Sequence, residues 1–358
     1  MSWMIAGLCV LLLSLYGCSV VGPSAISRGR ADYNQAIDRT GDEQMLMHII
    51  QNRYGENSGI LAVTSVTANF RIAGRADVNV GIGPDDSFEG NLVPFSGGAT
   101  YEENPTISYT PVQGERYLRE MLSPVPLDLF VLTSRSMIRR DIPLTMLVSR
   151  INDIWNPHFI RHPGAGPDPR FTRFVELFTE LDDFGRILWA DDPREGIDFR
   201  LVIRDYAPEY SERVRELLTL LGLPIQMDTS EDIVLPVQFA LQGKEFVGIA
   251  ITTRSVFDLI QILSASIDVP EEHARSGLVI SYPPKGLAAK DVHIRSSQRK
   301  PASASVAVKY RGSWFYIEDT DQRTKQVARL VSAFWAVRIA SAAGGSQPAP
   351  VLTIPASR

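Results

Sequence analysis

The longest apolar run of the chain lies near its N-terminus and is too short to cross a bilayer. It extends from Ile5 to Tyr16, 12 residues, whereas a membrane-spanning helix needs about 20. This length is typical of the core of a secretory signal peptide. The whole chain, with 44% hydrophobic and 22% charged residues, has a globular composition. The sequence therefore predicts a signal segment followed by a folded domain.

The residues that end this run resemble the lipobox of bacterial lipoproteins. Leu15 and Gly17 occupy its aliphatic and small positions, and Cys18 occupies the position of the lipidated cysteine. The resemblance implies a signal peptide over residues 1–17 and attachment of diacylglycerol and palmitate at Cys18. Because Ser19 follows where an inner-membrane retention signal has aspartate, it also implies the periplasmic face of the outer membrane. The alternative is an N-terminal membrane helix.

Cysteine usage agrees with a lipid anchor. Cys9 and Cys18 are the only cysteines, and cleavage removes Cys9, so the mature chain has no pair for an intramolecular disulfide. We expect residues 18–27 to be a short tether. Ser19–Ser27, even fully extended, reaches at most about 30 Å, which predicts a domain close to the bilayer surface.

The predicted domain, residues 28–342, begins with two helices. Ser27 can cap the first, which runs to about Arg39, and Thr40 opens the second through a capping box with Glu43. From Ile60 the hydrophobic pattern changes to a period of two, which indicates strands. The patterns that follow predict strands at 60–72, 75–82, 106–110 and 198–203, a polar loop at 81–98, and helices at 113–122 (with Tyr117, Leu118 and Met121 inward), 144–155, 171–184, 208–221, 256–267 and from Asp319 to about Ala340.

Two β-hairpins are also predicted. The first joins 233–241 to 244–252 through Gln242-Gly243, and Pro236 marks its first strand as an edge strand. The second joins 306–310 to 313–317 through Arg311-Gly312. Its register pairs Val308 with Phe315 on a buried face that receives the last helix, and Lys309 with Trp314 on the other face, where the lysine stem can lie on the indole.

These elements are grouped rather than alternating, which predicts an α+β fold. We expect antiparallel and mixed hairpins packed with amphipathic helices, a helical N-terminal region and a long C-terminal helix. A subdivision is expected near residues 160–170, and residues 343–358 form a Gly/Pro-rich tail.

Four parts of the chain form a recognisable set: Arg30–Ile37 with Asp42–Gln44, Pro105–Pro111, Gly312–Ile317 with Asp319, and Pro350–Pro355. Together these segments resemble a set of uncharacterised bacterial lipoproteins. The resemblance implies an envelope location and carries no established activity.

Motifs that would indicate catalysis are mostly lacking. His158 and His162 have i,i+4 spacing, but prolines bracket them and no glutamate stands where a zinc hydrolase needs its base, so we predict no metal site. No nucleophile elbow, P-loop or dinucleotide fingerprint occurs, so no catalytic residue and no cofactor is predicted. The net charge of −5 argues against binding to nucleic acid.

The sequence is compatible with three functions. The leading one is a non-catalytic scaffold or accessory subunit of an envelope assembly. The second is a periplasmic hydrolase that uses paired carboxylates, and the third is a carrier with an apolar cavity. The candidate carboxylates are Asp182-Asp183, Asp191-Asp192 and Glu318-Asp319 with Asp321.

The tail contains one segment too apolar to be left in water. Val351, Leu352, Thr353 and Ile354 are β-prone and lie between prolines. Such a segment either adds to an edge of its own sheet, where Pro236 suggests one, or serves as a partner-binding strand.

Overall fold

The computed structural model describes residues 18–56, 59–67, 70–78, 95–103, 106–160, 168–194, 197–206, 208–223, 231–240, 246–344 and 352–355. The chain divides into two compact units. One is drawn from residues 1–58 and 121–337, and the other from residues 59–120 and 338–358. These boundaries differ from the single domain over 28–342 with a subdivision near 160–170.

Helices and strands are grouped along the chain, which confirms the predicted α+β class. The helices are α1 (Cys18–Arg53), α2 (Glu115–Leu122), α3 (Leu127–Ser136), α4 (Asp141–Leu147), α5 (Pro169–Asp183), α6 (Ser211–Leu220), α7 (Val256–Ala265), α8 (Glu271–Arg275) and α9 (Gln322–Ala343). The strands are β1 (Ile60–Thr67), β2 (Phe70–Val78), β3 (Phe95–Glu103), β4 (Thr106–Val112), β5 (Val148–Ile151), β6 (Ile154–Trp155), β7 (Ile187–Asp191), β8 (Phe199–Ile203), β9 (Ile233–Phe239), β10 (Ile249–Thr253), β11 (Arg295–Ser297), β12 (Ala304–Tyr310), β13 (Ser313–Glu318) and β14 (Leu352–Pro355).

Helix α1 is one continuous helix in place of the two that the sequence predicts. The Thr40 hydroxyl donates to the carbonyl oxygens of Ala36 and Ile37, at 2.8 and 3.0 Å. It therefore bonds back along the helix and does not cap a new one. The predicted tether, residues 18–27, belongs to this helix as well. Among the side chains of α1 that the structure describes, the first buried ones are Met45 and Leu46.

The larger unit contains a six-stranded sheet in the order β6-β5-β10-β9-β8-β7. The predicted helix over 144–155 is wrong, because α4 ends at Leu147 and β5 follows directly. Asn152, with a φ of 49°, turns the chain from β5 into β6. Val148 and Ile151 are buried and line the same cavity although they are three residues apart, and the register of β5 against β10 shifts between them.

The predicted hairpin around Gln242-Gly243 is wrong as well. Strands β9 and β10 pair in parallel, with Ile249 opposite Val237, and residues 241–245 lie outside the described part of the chain. Strand β9 also pairs with β8, so Pro236 is in an interior strand and not at an edge. Each of the two strands also pairs with a strand from earlier in the chain, β9 with β8 and β10 with β5.

A second sheet of the larger unit, in the order β11-β13-β12, confirms the predicted C-terminal hairpin. Val308 pairs with Phe315 and Lys309 with Trp314. Phe315 is buried, and the Tyr54 ring at the end of α1 lies 6.2 Å from it. The cation over the Trp314 ring is the amino group of Lys300, at 5.4 Å. Whether the last helix covers this face stays a prediction.

Helix α9 begins slightly later than predicted, at Gln322, and its N-cap is Asp321 rather than Asp319. The Asp321 carboxylate accepts from the backbone N–H of Thr324 at 2.9 Å. Asp319 instead pairs with Lys325 at 2.6 Å. Further along α9, Trp335 lies against His48 of α1, with ring centroids 4.7 Å apart.

The smaller unit holds strands in the order β1-β4-β14 and the pair β2-β3. The strand predicted over residues 60–72 is not a single strand: β1 ends at Thr67 and pairs with β4, whereas β2 begins at Phe70 and pairs with β3. Most of the predicted loop over 81–98 lies outside the described residues. In α2, Leu118 is 56% exposed and does not face inward as predicted.

Candidate functional site

The described part of the larger unit has an unpaired sheet edge, on β12. Arg311 and Gly312 have positive φ values of 45° and 87°, which fit a two-residue type I′ turn. Such a turn makes Tyr310 and Ser313 a hydrogen-bonded pair, followed by Val308 with Phe315. The backbone N–H and C=O groups of the residues between, Ala307 and Lys309, therefore point away from β13. No third strand pairs with them among the described residues.

Helix α1 forms the wall opposite this edge. Arg39, Thr40, Glu43, Gln44 and Met47 recur at helical spacing and line one side of a groove of about 680 Å³. Residues 304–309 of β12 line the other side, with Trp314 and Lys300. By strand geometry these six residues span about 17–20 Å, the length of an average β-strand.

Positive charge predominates in the groove. Arg39 lies 3.6 Å from Glu43, so the one carboxylate lining the groove already faces a cation. Lys300 and Lys309 are both exposed and form no ion pair with a described residue. The Lys300 amino group lies over the Trp314 ring, which holds one positive charge beside an aromatic surface.

The end of the groove is fixed by an aromatic and ionic cluster between α1 and the hairpin. Glu56, just after α1, accepts hydrogen bonds from Tyr310 and from Arg311. The Tyr54 hydroxyl lies 2.6 Å from Nδ1 of His273, and burial raises the pKa of Tyr54 to about 12. These contacts hold the helix and β12 in register, so both walls are preformed.

The structure places the predicted lipid attachment residue at the start of α1. The backbone of Cys18 begins this helix, and nothing further is described for its side chain. Three residues of the predicted partner-binding strand lie in β14 and pair antiparallel with β4: Leu352 is opposite Tyr109, Thr353 opposite Ser108 and Ile354 opposite Ile107. Val351 lies outside the described residues. This pairing corresponds to the first of the two roles predicted for the tail, in which it adds to a sheet edge of its own chain.

His158 is part of a polar cluster that stabilises the start of α7. Its Nε2 atom lies 3.3 Å from Oδ1 of Asp258, whose other oxygen accepts from the Ser255 hydroxyl at 2.8 Å. Burial alone would raise the pKa of Asp258, but the nearby His158 imidazole and the hydrogen bonds from Ser255 lower it to about 2. The carboxylate separates the hydroxyl from the imidazole, so this is a capping box and not an activated nucleophile.

Arg254, next to this cluster, is a fully buried cation that rests on carbonyl oxygens. It is 1% exposed, and its Nη1 atom donates to the carbonyl oxygens of Thr145 and Met146, both at 2.8 Å. These carbonyls end α4, whose dipole favours positive charge there. Burial lowers the pKa of Arg254 to about 9, and the Asp258 charge opposes that shift.

Most of the predicted carboxylate candidates are engaged by basic residues or caps. Asp182 lies 3.3 Å from Arg140, Asp192 lies 2.6 Å from Arg194, and Glu318 lies 2.9 Å from Arg295. Asp319 and Asp321 have the roles at α9 given above. Among the described residues no three His, Cys, Asp or Glu side chains are grouped so as to hold a metal ion, and His162 lies outside them.

A cavity does lie between the six-stranded sheet and its helices, where an apolar carrier would bind its ligand. Phe130, Phe174, Trp189 and Ile251 are among its lining residues, and it encloses about 10 Å³. A single water needs about 10–15 Å³. This cavity is therefore too small for a lipid chain.

The β12 groove could not be found from the sequence, although part of its signal was present. The hairpin register, which places Lys309 beside Trp314, followed from the two-residue turn. The facing wall comes from residues 39–47, more than 250 positions earlier in the chain. No local pattern indicates that these two segments meet.

No known protein family, curated protein or solved structure matches this chain. Within the described residues, no helix combines the length and the apolar character required to span a membrane.

Proposed function

We propose that this protein is a lipid-anchored accessory subunit of a bacterial envelope assembly and holds a partner protein in the β12 groove. One observation carries the proposal: the outward backbone groups of Ala307 and Lys309 face a helical wall across an open groove. An unpaired edge is a template for another strand. Domains that recognise extended peptides use this arrangement, with main-chain bonds supplying affinity and neighbouring side chains supplying specificity.

The anchor in this proposal is a lipid on Cys18, at the periplasmic face of the outer membrane. Its support is the lipobox resemblance of Leu15, Gly17 and Cys18 together with the serine at position 19. A triacylated cysteine exceeds the two signals that stable anchoring requires.

A binding role is favoured over catalysis by how the polar side chains are used. Asp182, Asp192 and Glu318 face arginines, and His158 shares Asp258 with a helix cap. A general acid or base has to be available to a substrate in a cleft. The groove instead offers lysines, an indole and unpaired backbone groups, which suit recognition.

The test uses proline to block the groove edge in cells. In Ala307→Pro the lost N–H is one that points away from β13, so the hairpin ladder is kept while strand addition is prevented. Ser296→Pro is the matched control. Ser296 belongs to β11, the strand at the other edge of the same sheet, where it lies opposite Phe315 of β13. Its N–H also points outward.

A photo-crosslinking amino acid at Ser305, an exposed groove residue, reports occupancy in the full-length protein. We expect one discrete adduct that Ala307→Pro abolishes and Ser296→Pro leaves intact. An adduct that persists in Ala307→Pro, or the absence of any adduct in the unsubstituted protein, contradicts the proposal.

A further inference from the structure

We infer that the partner segment is an extended acidic peptide in which acidic and apolar residues alternate. This inference rests on the proposed function and adds the chemistry of the occupant. It follows from the charges of the groove and from the two faces that an added strand acquires.

The charge of the groove selects for carboxylates. Lys300 and Lys309 contribute two positive charges that form no ion pair with a described residue, while Arg39 offsets Glu43. Bringing a basic segment here would place like charges side by side, which is unfavourable between neighbouring strands. An acidic segment is complementary in charge.

The strand register determines which positions of the peptide are acidic. Peptide residues directly opposite Ala307 and Lys309 have side chains on the outer face of the sheet, because opposed residues share a face. Lys309 pairs with Trp314 on that face, and Lys300 lies over the indole. Acidic side chains at these two positions would therefore lie beside the lysines.

The peptide residue between these two lies opposite Val308 and points to the inner face. Val308 is buried there, and Met47 of α1 lines the facing wall. A small or apolar side chain is favoured at this position, since it removes apolar surface from water. The complete pattern is acidic, apolar, acidic, with a period of two.

The experiment selects binders from a library of random seven-residue peptides displayed on phage, with the full chain in mild detergent as bait. We expect the selected peptides to show acidic residues at alternating positions. Binding of a selected peptide is then measured by fluorescence polarisation against the unsubstituted chain and three variants. Circular dichroism checks that each variant is folded.

Ala307→Pro is expected to abolish binding, and Ser296→Pro to leave it unchanged. Lys309→Glu is expected to weaken it about tenfold, since it replaces an attraction by a repulsion. In the unsubstituted chain, high salt is expected to weaken binding several-fold. Selection of basic peptides, of peptides without the period of two, or of none above background overturns the inference, as does equal binding to Ala307→Pro.

The two proposals fail in distinguishable ways. If non-acidic peptides bind and Ala307→Pro abolishes that binding, the groove still receives a strand and only the acidic partner is wrong. If acidic peptides bind as expected but the Ser305 crosslink forms no adduct in cells, the inferred groove chemistry is right and the proposed cellular role is wrong.

Discussion

Acid should destabilise this protein through one histidine, His48. Its ring lies against Trp335 with centroids 4.7 Å apart, and burial lowers its pKa from 6.5 to about 4. Because the unfolded chain takes up this proton near pH 6.5 and the folded protein only near pH 4, acid favours the unfolded state. Stability is therefore full above pH 6.5 and is lost progressively as the pH falls towards 4.

The magnitude follows from the two pKa values. A shift from 6.5 to about 4 corresponds to about 3.4 kcal/mol when complete, at about 1.36 kcal/mol per unit. At pH 5 the unfolded histidine is almost fully protonated and the folded one is not, which gives about 2 kcal/mol. His48 keeps some solvent contact, so these values are upper bounds.

The assay compares urea unfolding at pH 7.5 and pH 5.0, followed by tryptophan fluorescence. In His48→Phe the ring against Trp335 is kept and the titration is removed. We expect this variant to lose about 2 kcal/mol less than the unsubstituted protein between the two pH values. The control, His293→Gln, replaces an exposed histidine and should keep the original loss. An equal loss of stability in His48→Phe would refute the reasoning.

Three further outcomes are expected. Arg254→Met should lower the free energy of unfolding by about 3 kcal/mol in urea titrations, since it leaves buried carbonyl oxygens without donors; a change under 1 kcal/mol would contradict the role given to this cation. Asp321→Ala should cost about 1 kcal/mol in thermal unfolding and Asp319→Ala clearly less, because the cap lies at Asp321; the reverse order would mean that the cap is misplaced. Cys18→Ala should give an uncleaved precursor that incorporates no labelled palmitate; a processed variant recovered in the outer membrane would exclude the lipobox.

The elements predicted correctly are those whose structure is fixed locally. Arg311-Gly312 determines the hairpin register, because a two-residue turn with positive φ allows one pairing. The helix over 171–184 is recovered as α5, since its apolar spacing and the Asp168 cap lie within one segment. In both cases the deciding contacts join residues that are close in sequence.

The wrong predictions share the opposite property. Gln242-Gly243 has the composition of a hairpin turn, yet β9 and β10 pair in parallel, and each also pairs antiparallel with another strand, β9 with β8 and β10 with β5. A buried strand has an apolar sequence whichever way its partner runs, so its sequence does not indicate the direction of pairing. Thr40 has the sequence of a cap, but its hydroxyl returns to the preceding turn.

Helix α1 connects the proposed anchor to the proposed binding site, and this changes the expected distance from the membrane. Cys18 begins the helix and Arg39 is the first groove residue on it. At 1.5 Å per residue the helix covers about 32 Å between them. The sequence predicts a short tether over residues 18–27 and a domain close to the bilayer surface. A lipid on Cys18 would instead hold the groove at the end of a helical stalk, with its reach set by the helix.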